Sequence, residues 1–191
     1  MEATISPRAR DSGSRLGEIV PSSIDLTLEA PAGDSGALGA GAGPEANAVR
    51  EIDARPGGTV RFTLHAKNIG EVADTYRLEA STDPTFAEVT LPEGWSVAFL
   101  SADAGETVTA TGTLAPDASE RVFADVRVSP GQAPLVGSLH FRALSGTSGA
   151  RDVLHGAVAV DDASTLILEP PARAHVEPGG AAVHAHRIAN R

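Results

Sequence analysis

The sequence contains no cysteine. That removes disulfides, zinc–thiolate sites, iron–sulfur clusters and cysteine nucleophiles together. It does not fix the compartment, since exported proteins can also manage without disulfides. Aromatic residues make up only 4% of the 191 residues, with one Trp and one Tyr. A core therefore has to be built mainly from Val, Leu and Ala. Cations are scarce too: 15 Lys and Arg face 25 Asp and Glu, for a net charge of −10, and Lys67 is the only lysine. Without a basic run to neutralise phosphates, no nucleic-acid partner is expected. The acid excess favours solubility and mutual repulsion. No apolar run approaches the ~18–20 residues that span a bilayer, so no membrane insertion is expected in this segment. The opening MEATISPRARDSGSRLGEIV has an early Glu2 and no apolar stretch after its arginines. It does not read as a signal peptide. The expectation is a cytoplasmic protein or, better supported by the C-terminus, a piece of a longer chain.

What is present is β-patterned. Hydrophobic residues at 41% suffice for one core, and the length fits one domain with extensions. Residues 1–23 lack periodicity and read as a flexible lead-in or the tail of a preceding module. In 24–30, Ile24, Leu26 and Leu28 alternate with Asp25, Thr27 and Glu29, the period of a half-buried strand. Residues 31–47, PAGDSGALGAGAGPEAN, are Gly/Ala-rich and read as a long loop. Strands follow at 59–68, 74–81, 95–101, 107–114, 120–129, 138–145 and 152–160, with a short edge strand at 86–92. Gly, Pro and Asn turns separate them, and no segment carries helical spacing over three turns. Several short strands, each with one apolar face, predict an antiparallel β-sandwich of about eight strands spanning 24–162.

The C-terminus repeats an earlier stretch. ARPGGTVRFTLHAKN (54–68) and VEPGGAAVHAHRIAN (176–190) share Pro56, Gly57, Gly58 and Asn68 as Pro178, Gly179, Gly180 and Asn190. These are turn residues, whose backbone roles are hard to replace. IDLTLEAP (24–31) likewise matches STLILEPP (164–171). Residues 163–191 are thus expected to be the start of a second, incomplete repeat. The chain is then expected to belong to a longer tandem array.

Five motifs recur in order between residues 56 and 160. They are Pro56-Gly57-Gly58-Thr59-Val60, Asn68-Ile69-Gly70, Asp74-Thr75-Tyr76, Pro92-Glu93-Gly94-Trp95-Ser96-Val97, and Leu114-Ala115-Pro116-Asp117-Ala118-Ser119. This pattern resembles the NEW3 (α-galactosidase-associated) family and the related DUF11 surface repeats. The resemblance implies an immunoglobulin-like sandwich on an exported or surface-anchored bacterial protein, with no shared catalytic residues. Pro56, Gly57, Gly58, Asn68, Gly70, Asp74, Tyr76, Gly94, Trp95 and Pro116 are expected to be structural. Asn68 and Gly70 are expected to make a tight, partly left-handed turn, and Trp95 to plug one end of the sandwich. The sequence departs from the family pattern in the 31–47 loop and in 82–91, STDPTFAEVT. Those segments are the places to look for anything particular to this chain.

Catalytic chemistry is poorly supplied. No G-x-S-x-G elbow has partners and no phosphate loop is present, so no catalytic or cofactor-binding residue is expected. His184 and His186 share one face of a strand and with His175 could ligate a metal. By the repeat alignment they take the inward places of Phe62 and Leu64, which favours a core role. Asp161 and Asp162 could join Glu29, Asp34 or Asp53 around calcium, but no loop of calcium-binding spacing is present and a solvated linker is the plainer reading. His65, His140 and His155 lie on separate strands without a spaced constellation. Phe123, apolar on an outer face, could mark an inter-domain or subunit contact. The expected role is a non-catalytic structural or assembly module of a bacterial cell-surface or secreted protein. Its expected partners are neighbouring repeats or subunits. The alternative is an accessory carbohydrate- or ligand-binding module of an exported hydrolase, for which an exposed Trp95 would speak.

Overall fold

The computed structural model describes residues 23–32 and 36–161 in full, and the backbone of 166–169 and 187–190. Ten strands form two layers, and the described residues contain no helix. They are β1 (Ile24–Glu29), β2 (Ala37–Leu38), β3 (Arg50–Ala54), β4 (Thr59–Asn68), β5 (Tyr76–Ser81), β6 (Ser96–Ser101), β7 (Thr107–Val108), β8 (Ser119–Arg127), β9 (Leu135–Ser145) and β10 (Arg151–Val160). The larger sheet has the order β2-β1-β4-β8-β6-β7 and the smaller one β3-β10-β9-β5. Packed face to face, they make an immunoglobulin-like β-sandwich.

Alternation sets the core. Phe62, Leu64 and Ala66 of β4 and Val122, Ala124 and Val126 of β8 are fully or almost fully buried, as are Leu139, Phe141 and Ala143 of β9. Phe62 and Phe141 meet across the layers with ring centroids 5.1 Å apart, tilted by 53°. Such aromatic pairs contribute about 1 kcal/mol beyond area burial. Gly156 of β10 lies beneath them. A Cβ there would sit 3.0 Å from Phe62 Cε1 and 3.3 Å from Phe141 Cε2.

Four features depart from the sequence reading. First, β3 was not anticipated, and it pairs with β10 in parallel, so the small sheet is mixed rather than purely antiparallel. Second, the 31–47 loop contains β2, which pairs with β1 through Leu28–Leu38 and Glu29–Ala37. Third, the expected strand 107–114 shortens to β7. Its remainder crosses to the small sheet: Leu78 N–H donates to Thr109 O at 2.9 Å and Thr111 N–H to Tyr76 O at 2.9 Å. Fourth, 86–92 is not a strand but a turn held by side-chain hydrogen bonds.

A separate two-stranded ladder, β11 (Leu166–Glu169) with β12 (Arg187–Asn190), is antiparallel with Leu166 opposite Asn190. In the sandwich, β1 pairs antiparallel with β4, with Ile24 opposite Asn68. The segments aligned in the sequence therefore pair antiparallel in both places. His184, His186 and Asp162 lie outside the described residues.

Candidate functional site

The residues that carry the family resemblance lie in turns, on strands and in the interior. Gly57 and Gly94 have φ of 75° and 72°, where a side chain is strained. Trp95 N–H closes the turn onto Pro92 O at 3.0 Å. A Cβ on Gly58 would come within 2.9 Å of Arg55 O, and Pro56 leads into this turn. The expectation of a left-handed turn at Asn68 and Gly70 is corrected, for neither has positive φ. Asn68 itself does the work. Fully buried, it donates from Nδ2 to Val72 O and Leu114 O at 2.8 and 2.9 Å and accepts from Gly70 N–H at 2.9 Å. Its backbone carbonyl accepts from Asp117 N–H at 2.8 Å, which fastens the Pro116 turn.

Tyr76 is fully buried and its hydroxyl donates to Ser23 O at 3.0 Å. Asp74 accepts from the Ser145 hydroxyl at 2.6 Å. Trp95 is only 6% exposed, and its indole N–H donates to Gln132 Oε1 at 2.7 Å. Its ring packs at Gly137, where a Cβ would be 3.1 Å away. The two rings best suited to stack on a sugar are thus built into the fold.

Charged and polar groups gather instead on the outer face of the small sheet. The His140–His155 pair corrects the sequence reading, because β9 and β10 set the two residues directly opposite each other. Their rings stack with centroids 4.4 Å apart. Both are buried, and His140 Nδ1 and His155 Nε2 have no hydrogen-bond partner. Burial, and then the neighbouring His155, hold His140 below its ordinary value. His65 lies on β4 of the other sheet. Beside the pair, the largely buried Arg142 donates from Nε to Glu79 Oε2 at 2.9 Å, with Nη2 bonding the same oxygen. The Phe86 ring lies under its guanidinium, 4.2 Å from Cζ to ring centroid.

Two segments cover this face, and each is fixed by one carboxylate. In the 82–91 turn, Asp83 accepts from Thr85 Oγ1 and from the N–H groups of Thr85, Ala87 and Glu88. Those donors, led by the Thr85 hydroxyl, hold its carboxyl down at about 2. The turn places Phe86 at φ 54°, a left-handed conformation that is costly for an aromatic residue. On the other side, buried Asp152 accepts from Leu26 N–H at 2.7 Å, Gly43 N–H at 3.0 Å and Val153 N–H at 2.9 Å. Burial pushes its carboxyl up, against the pull of those donors. Gly43 has to be glycine, because a Cβ would collide with the Val153 carbonyl oxygen. Glu45 continues the cover and accepts from His155 N–H at 2.9 Å. Between the two segments lies a cleft of about 350 Å3.

The outer face of the large sheet is open. Arg61 forms a bidentate pair with Asp125 at 2.6 and 2.8 Å, and Phe123 lies under Arg61 and Arg121. Asp161 is exposed beyond β10, and its N–H donates to Ala54 O at 3.1 Å. Among the described residues, no three His, Asp or Glu side chains gather as metal ligands.

No family model and no curated protein sequence matches the chain. Solved structures give distant likenesses. The sialic acid binding region of a Streptococcus sanguinis adhesin is 11% identical, with a TM-score of 0.42 over 72% of this chain and 30% of that one. A family 123 glycoside hydrolase from Clostridium perfringens is 7% identical, with a TM-score of 0.40 over 59% of this chain. The match spans only 23% of that enzyme. CaCohA2 from Clostridium acetobutylicum is 9% identical, with a TM-score of 0.40 over 72% of this chain and 90% of that one. At these values the likenesses carry no functional argument.

Proposed function

We propose that this chain is a non-catalytic structural and assembly module of a bacterial cell-surface or secreted protein, of the NEW3/DUF11 kind, working beside further copies of itself. The observation that supports it most is where the large rings sit. Trp95 and Tyr76 are buried and hydrogen-bonded within the sandwich, which speaks against a stacking platform for sugars. The pairing of β11 with β12 in the sense of β1 with β4 supports the tandem reading. Each unit would fold on its own dry interior, with short linkers setting the angle between neighbours.

The reading frame on either side of these residues tests the proposal. An export signal upstream and further PGG…N-x-G units downstream are expected. A frame encoding a cytoplasmic enzyme without such units overturns it. Tryptophan fluorescence separates the carbohydrate-binding alternative: Trp95 emission should not change on adding glycans, and a saturable shift would favour binding instead.

A further inference from the structure

We infer that the cleft on the outer face of the small sheet is a binding site for a compact organic anion, whose carboxylate is held by Arg142 and Arg151. Pro44 and Ala42 form one wall, Pro84 the other, and Val153 the floor. A space of this size falls at the lower end of small-molecule pockets.

Three observations carry the inference. First, both walls are fixed in place before any ligand arrives. One wall holds Phe86 in a left-handed conformation, and the other holds a desolvated carboxylate against three backbone N–H groups. Strain and buried charge of this kind concentrate at ligand clamps. Second, Arg142 is oriented before any ligand arrives. Its Nε–Nη2 edge is committed to Glu79 and one face to Phe86. Nη1 has no hydrogen-bond partner among the described residues, and Arg142 lines the cleft. Third, the nearby carboxylates are already engaged: Asp152 and Asp83 by N–H and hydroxyl donors, Glu79 by Arg142. Arg151, exposed at the rim, forms no ion pair among the described residues. Guanidinium groups recognise carboxylates through short, charge-assisted hydrogen bonds, while the prolines and Val153 offer apolar contact to the body of the ligand. The inference does not rest on the assembly role.

Two sources could supply such a carboxylate, an acidic sugar or a peptide C-terminus, and one experiment separates them. The 15N-labelled 191-residue chain is titrated with D-glucuronate and with N-acetyl-dialanine. D-glucose and the dialanine amide serve as neutral counterparts. At least one acid should shift the amides of Gly43, Thr85 and Val153 saturably, while its neutral counterpart does not. The acid that binds identifies the source. Arg151→Gln should weaken that binding by about tenfold or more, the loss of one charged hydrogen bond. Arg142→Lys, which keeps the charge but not the fork, should weaken it too. Arg121→Gln on the opposite sheet should not. Amides that respond to neither acid, acids and neutral counterparts acting alike, or an Arg151→Gln variant binding normally would each overturn the proposal.

Discussion

The two outer faces of the sandwich obey different rules. On the large sheet, β4 and β8 present Arg61, Thr63, His65 and Lys67 beside Arg121, Phe123, Asp125 and Arg127, all open or half-open to solvent. Every charge there can keep its hydration. On the small sheet, β9 and β10 present His140, Arg142, Val153 and His155, all buried under two loops. A charge there, such as that of Arg142, depends on a protein partner. Water access, more than residue type, decides what a charge on a strand contributes to stability.

Removing one carboxylate from each face should break the symmetry most. Asp152→Ala leaves three backbone N–H groups without an acceptor and should destabilise by about 3 kcal/mol in urea unfolding. Asp125→Ala on the open face should leave the midpoint nearly unchanged. Equal effects would mean that the covered face is as wet as the open one.

The aromatic residues sharpen the contrast next. Phe86→Gly loses a buried ring but relieves the left-handed strain, for a net cost of about 2 kcal/mol. Phe86→Ala loses the same ring and keeps the strain, so it should be less stable than the glycine variant by about 1 kcal/mol. That ranking inverts the usual order of alanine over glycine, and a normal order would remove the strain argument. Phe123→Ala should cost only about 1 kcal/mol, since its ring is half-exposed beneath two guanidiniums.

Acid separates the faces more gently. Because His140 is held below its ordinary value, the unfolded chain takes up that proton first. Stability should be full above about pH 6.5 and fall as the pH drops below it. Urea midpoints between about pH 8 and 5.5 measure this, and His140→Phe should flatten the slope. A steeper slope in that variant would contradict the assignment. The smallest effect belongs to Asp83. Its stabilising role is present above its unfolded value of 3.8 and is lost as the pH falls through about 2. Asp83→Asn should speed amide exchange at Ala87 and Glu88 with little change in global stability.

The open face was legible in the sequence because alternation survives only where one side of a strand stays wet. From Phe62 to Asn68 every second residue is buried, as the pattern predicts. The covered face carried a weaker signal. DVLHGAVAV is almost continuously apolar, and every residue of it is buried, the signature of a strand covered on both sides. The cover could not be read from sequence. Its parts, 42–49 and 82–88, are polar turn segments whose positions depend on single contacts from Asp152 and Asp83. β3 escaped because REIDA offers only Ile52 and Ala54 as inward residues, and its parallel partner lies about a hundred residues away. The histidine pair escaped for the same reason: residues 140 and 155 become neighbours only once the β9–β10 register is known. Among the motif residues, Asn68 is expected to act through a turn of its own backbone, and the geometry shows its side chain at work instead. Its mechanism, a side chain bonding three backbone groups, depends on Leu114, which no local spacing links to it.

The large sheet ends on both sides in strands of two residues, β2 and β7. The small sheet is bounded on one side by charge-bearing β3 and on the other by the crossing segment 109–114. Each border is thus too short, too charged or already occupied to template a foreign strand. Among the described residues, a second molecule would therefore find no long, open edge from which a continuous ribbon could grow.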